Sequence, residues 1–213
     1  MISFVISPHL TFISTFIALS ETWLKEKNDV SSSSLDNYHE PIILNRPNED
    51  GGCGIALYIH NNYTYRVQND LTHNSNDSQF LFAEIVKYNI STLIGVSYKP
   101  PNVNIDSYSL ILSNLLDKLE NTSKNIFIAG DFNIDLLKSE NNEETNSFFN
   151  NLLTYSLFPT IVKPTRITSH SATLIDNIFT NSLTWLTLSN LVFCTMIFRT
   201  TFLSLLSNME QNY

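Results

Sequence analysis

Short apolar runs bounded by Gly, Pro, Asn and Asp recur along the chain: "FISTFIAL" (12–19), "CGIALYIH" (53–60), "FLFAEIV" (80–86), "TLIGVSY" (92–98), "NIFIAG" (125–130) and "LIDNIFT" (174–180). Each has the length and composition of a strand. Two segments change period. In "NIDSYSLILSNLLDKLEN", Tyr108, Ile111, Leu112, Leu115, Leu116 and Leu119 follow the i, i+3, i+4 rule of a helix face, with Asn104 or Asp106 available as N-cap. In "EETNSFFNNLLTYSL", Phe148, Phe149, Leu152 and Leu153 make a second stripe. Several strands, followed by strand, helix, strand, helix, strand, predict a mixed α/β (α+β) domain rather than a bundle or a pure β sandwich. The stretches "SSSSLDN" (31–37) and "NDLTHNSNDSQ" (69–79) read as surface loops.

Composition narrows the class. A chain of 213 residues that is 43% hydrophobic can bury one sizeable core. Twelve basic and 20 acidic residues leave a net charge of −8, so any polyanion site must be locally basic. Cys53 and Cys194 form neither a disulfide framework nor a metal-ligand spacing. Residues 1–20 contain no Asp, Glu, Lys or Arg and could be read as a signal or anchor. They lack a basic n-region, and Pro8, His9 and scattered Ser and Thr dilute the apolar run. The equally uncharged stretch 177–198 is interrupted by Asn, Ser and Thr, which disfavours a membrane span. The expected location is therefore intracellular, in cytoplasm or nucleus.

Four candidates for chemistry each follow an apolar strand pattern. Glu21, in "FIALSETWL", is either a solvated loop residue or a ligand for a hard cation. In "NIFIAGDFNIDLL", Gly130 allows close backbone approach, Asp131 can position a water or a metal, and Asn133 offers a donor and an acceptor. An Asx-turn at a strand exit explains the same three residues. Tyr98, in "GVSYKPPN", is a strand-end phenol that could simply cover the sheet edge. Asp176, in "ATLIDNIF", interrupts an apolar run and needs a partner if buried.

Taken together, "SETWL", "GGCGIALYI", "FLFAEI", "GVSYKPPN", "NIFIAGDFNIDLL" and "PTRITSHSATLIDNIFTN" resemble the endonuclease/exonuclease/phosphatase superfamily, which has the DNase I-like fold. More narrowly they are similar to the apurinic-endonuclease-like domain of non-LTR (LINE, jockey-type) retrotransposon polyproteins. The resemblance implies two packed mixed β-sheets flanked by helices in a four-layer sandwich. It also implies hydrolysis of DNA phosphodiester bonds that depends on Mg²⁺ or Mn²⁺. By this resemblance Glu21 holds the metal, and Asp131 orients or deprotonates water. Asn133 keeps Asp131 and phosphate in register, Tyr98 donates to a phosphate oxygen, and Asp176 orients a histidine. Asp135 has no role in the pattern and is expected at the surface. Lys99 and Arg166 are the basic residues beside these blocks, so DNA affinity is expected to be modest and salt-sensitive.

The pattern is broken at both ends. The family's closing Ser-Asp-His block is missing: none of His9, His39, His60, His73 and His170 follows Asp176, and no Asp or Glu occurs from Asn177 to Met209. The family's first-strand Asn is missing too, since the twenty residues before Glu21 contain none. These departures imply a truncated or frame-shifted copy: an apolar leader (1–15), the family-like domain (16–181) and a divergent apolar tail (182–213). Weak or no activity is the expectation, the alternative being a catalytically dead remnant or binding module with the same fold.

Overall fold

The structure is a computed structural model and describes residues 15–22, 34–47, 54–87, 90–119 and 124–182. The first element, β1 (Phe16–Ser20), is followed by β2 (Ile42–Leu44), β3 (Ile55–Ile59), β4 (Tyr65–Val67), β5 (His73–Asn74), β6 (Gln79–Lys87) and β7 (Ile90–Tyr98). Then come helix α1 (Ile105–Leu116), β8 (Asn125–Asp131), helix α2 (Glu143–Thr154), β9 (Phe158–Pro159), β10 (Arg166–Ile167), β11 (Ala172–Thr173) and β12 (Asp176–Thr180). A small antiparallel sheet has the order β1-β3-β2. A seven-stranded mixed sheet runs β4-β6-β7-β8-β12-β9, with β5 beside β6, and β10 and β11 form a separate hairpin. Strands β7 and β8 are parallel because α1 carries the chain across between them.

The near-continuous apolar strands of the large sheet are buried on both faces. Alternate residues of β6 divide between two cores: Phe80 and Phe82 meet the helices, and Leu81, Ala83 and Ile85 meet the small sheet. On the helix side, Tyr108 and Leu112 of α1 and Phe148 and Leu152 of α2 pack with Phe132 and Phe179. Phe80 stacks on Tyr108 with ring centroids 5.1 Å apart, and Phe132 meets Phe179 edge-on at the same distance. Between the sheets lie Phe16, Ala18, Leu57, Val96, Tyr98 and Ala129. The outer face of the small sheet gathers Ile17, Leu19, Ala56 and Tyr58.

Both helices begin as their sequences predict. Asn104, not Asp106, caps α1 by accepting from the Ser107 amide, and Asn142 caps α2 by accepting from the Thr145 amide. Asn104→Ala is expected to lower stability by about 1 kcal/mol, read as a shifted urea midpoint with an unchanged slope.

One loop expectation is corrected. Residues 69–79 contain a 3₁₀ turn (Asn69–Leu71), β5 and the first residue of β6, because Leu71 is buried in the helix-side core and Gln79 bonds Asn74. The apolar leader up to residue 14, the tail from 183, and both cysteines lie outside the described residues. No helix among the described residues is long and apolar enough to cross a membrane.

Candidate active site

Strand pairing places three of the predicted residues in one row. Tyr98, the last residue of β7, lies opposite Asp131, the last residue of β8, and Asp131 lies opposite Asp176, the first residue of β12. Residues in register share a face, and this face turns toward the small sheet, as Val96 and Ala129 show. All three are buried.

Glu21 reaches the row from the other sheet. Alternation along β1 would put it on the outer face with Ile17 and Leu19. Its backbone instead takes a left-handed turn (φ 55°), and its carboxylate accepts a hydrogen bond from the Tyr98 hydroxyl at 3.1 Å. A non-glycine residue in this region is strained, and such strain re-aims a side chain where the surroundings hold it.

Asn133 is the second left-handed residue (φ 46°). Its backbone amide donates to Asp131 Oδ1 at 3.0 Å, and its Nδ2 donates to the Lys99 carbonyl at 2.8 Å. The Asx-turn is thus present, and the turn that satisfies Asp131 also fixes its orientation.

Two expectations change. Lys99 is buried, its ammonium donating to the Pro100 carbonyl at 3.1 Å, so it offers no surface charge to DNA. Burial lowers its pKa although Asp131 and Glu144 oppose this. Asp135 is half-buried rather than fully at the surface: its Oδ1 accepts from the amides of Leu174 at 2.9 Å and Leu137 at 3.4 Å, tying the loop after β8 to the approach to β12, while its Oδ2 pairs with Lys138.

The residues around Asp176 divide between chemistry and support. Thr165 Oγ1 accepts from the amides of Ile175 and Asp176, both at 3.3 Å. The Asn177 Oδ1 accepts from Thr160, Ile161 and Ile178, while its Nδ2 donates to the Ile161 carbonyl. Asn181 bonds the Ile126 amide and the Lys124 carbonyl. These roles were hidden inside the "PTR" and "LIDNIFTN" blocks, where only Asp176 looked anomalous.

Electrostatics set the acids against one another. Burial, then the charges of Asp176 and Glu21, push the Asp131 carboxyl up to about 7, against the opposing Asn133 amide and Arg166. Burial pushes Asp176 up to about 6, assisted by Glu21 and opposed by Thr165 and Arg166. Asp176 Oδ1 is buried and has no hydrogen-bond partner among the described residues.

This donor set fits a hard divalent cation. Three mutually repelling carboxylates, one with an orphaned buried oxygen, are what such an ion relieves. Among the described residues no three His, Cys, Asp or Glu side chains form a ready-made metal cage, so an ion here would be held by one or two carboxylates and water.

The model of the endonuclease/exonuclease/phosphatase family matches residues 11–195. The chain belongs to that family. Its members are in general dependent on a divalent metal. The fold is that of the endonuclease domain of TRAS1, a telomere-specific non-LTR retrotransposon, at 13% identity and a TM-score of 0.55 over 76% of this chain and 84% of that one. The Xenopus laevis APE2 catalytic domain gives 14%, 0.54, 78% and 74% in the same terms. The human Nocturnin catalytic domain gives 16%, 0.54, 78% and 69%. These likenesses show the DNase I-like fold expected from the sequence. No curated protein matches the sequence.

Proposed function

We propose that this chain is a DNA endonuclease domain of retrotransposon descent that hydrolyses phosphodiester bonds weakly. The observation that carries the reading is the row Tyr98, Asp131, Asp176 at the ends of three adjacent strands, with Glu21 brought to it from the facing sheet. The likeness to the TRAS1 endonuclease domain, to APE2, and to a Neisseria 3′ phosphatase solved with product DNA supports nucleic acid as the substrate.

Asp131 is the general base: it stands between Tyr98 and Asp176 at the strand ends, and the Asn133 amide holds one of its oxygens in place. As the water oxygen bonds to phosphorus and the ester bond to the leaving sugar oxygen breaks, one of the water's protons passes to Asp131 and the leaving oxygen takes a proton from solvent to depart as the alcohol. Arg166, exposed on β10, faces the acids and supplies positive charge toward the phosphate. Glu21 and Asp176 would hold Mg²⁺ or Mn²⁺, which supplies charge against that developing on the phosphate. Tyr98 keeps Glu21 turned into the site.

Activity is weak because, among the described residues, no histidine or other donor meets the buried Asp176 Oδ1. Loss of one oriented donor costs about 10²- to 10³-fold in rate. The same orphaned oxygen favours the second reading, a binding module without catalysis. Purified protein incubated with supercoiled plasmid and Mg²⁺ or Mn²⁺ is expected to nick slowly, and Asp131→Ala to lose that nicking. DNA binding without nicking selects the second reading. Robust nicking that Asp131→Ala abolishes overturns the weakness.

A further inference from the structure

The row of site residues extends one strand further than the candidate chemistry. Gln79, the first residue of β6, lies opposite Tyr98, so Gln79, Tyr98, Asp131 and Asp176 stand in line across four strands. Gln79 is completely buried. Its Nε2 donates to the Leu44 carbonyl at 3.0 Å and to Asn74 Oδ1 at 2.8 Å, which fixes the orientation of the amide. The Asn74 Nδ2 in turn donates to the Asn45 carbonyl at 2.9 Å.

Leu44 belongs to the small sheet, where a matching row runs Leu44, Ile55, Ser20 and leads into Glu21. The two rows face each other, and two hydrogen bonds among the described residues run directly between row residues. Tyr98 to Glu21 is one, and Gln79 to Leu44 is the other. Between these ties the inter-sheet core is apolar and its contacts are non-directional, so the polar ties at the site end carry the alignment of the sheets there. A buried amide bonding a main-chain carbonyl across the seam is such a tie.

We infer that Gln79 is a positioning residue: it clamps the two sheets at the site end and so sets the placement of Glu21 against Asp131 and Asp176. This rests on the reading of the site as metal-dependent. Partners outside the ligand shell usually change metal affinity by about 10- to 100-fold when removed. The whole chain, titrated with Mn²⁺ alone and followed by electron paramagnetic resonance, is the test. Gln79→Leu is expected to weaken Mn²⁺ binding about tenfold, and Asn74→Ala, at an exposed residue, about threefold. A role in stability alone would lower the melting temperature and leave Mn²⁺ affinity of the folded protein unmoved. Affinities within about twofold of the unaltered protein in folded Gln79→Leu and Asn74→Ala overturn the clamp, and Asn74→Ala decides alone if Gln79→Leu does not fold. An unaltered protein that binds no Mn²⁺ overturns the metal-dependent reading and the clamp with it.

Discussion

Gly130→Ala is expected to destabilise the protein by about 3 kcal/mol or more, enough to leave much of the chain unfolded or insoluble. A Cβ at position 130 would lie 2.0 Å from the Ser97 carbonyl oxygen and 2.8 Å from its carbon. Both are main-chain atoms of the adjacent parallel strand, so no rotamer can make room. The Ser97 hydroxyl lies 2.5 Å from the Tyr108 hydroxyl in the helix-side core, which anchors β7 from behind. The strands would have to part next to Tyr98 and Asp131, and the site would be lost with the fold. A urea midpoint equal to that of the unaltered protein would show that β7 can yield there.

Without metal, stability is expected to peak in mildly acidic solution and to fall on both sides. The folded-state pKa values of Asp131 and Asp176 are raised from 3.8 to about 7 and about 6. From roughly pH 4 to pH 7 the folded state therefore keeps protons that the unfolded chain has released, and stability falls as pH rises. Glu84 has the opposite sign. Hydrogen bonds from Ser91 first, then Lys124 and Arg66, hold it down at about 2 against 4.5, despite its burial. Its contribution is complete above its unfolded pKa and is lost as pH falls toward 2. Urea midpoints measured in EDTA across this range are the check. Asp131→Asn should flatten the neutral limb and Glu84→Gln the acidic one, and added Mn²⁺ should raise the midpoint at pH 7. Stability that climbs steadily from pH 5 to pH 8 in EDTA would show that both aspartates ionise freely.

The long strands and both helices were legible because each displays a period over enough residues to be recognised. The six apolar runs fall on β1, β3, β6, β7, β8 and β12, with ends that differ by a few residues, and the two helical stripes fall on α1 and α2. The short strands were not legible. β2, β4, β5, β9, β10 and β11 have two or three residues each, too few to display alternation, and are held by neighbours distant in sequence. The same limit governed the site. Glu21, Tyr98, Asp131, Asn133 and Asp176 stood out by residue type at strand ends, but the contact between Glu21 and Tyr98 spans 77 residues. Lys99 reads locally as a surface cation, and only the packed structure buries it. Gln79 could have been suspected from its place directly before an apolar strand. Its polar neighbours made it look like loop.

The side chain of Asn177 pins residues 160 and 161 along β12 by bonding Thr160 and Ile161, extending the pairing that Phe158 and Pro159 begin. An exposed strand edge is a template for other chains, and here that template is already occupied. Adjacent residues thus guard against different failures. Under the proposed function a change at Asp176 is a change in chemistry, whereas a change at Asn177 uncovers an edge and is a change in colloidal behaviour: copies that add strand to strand, aggregate and leave solution.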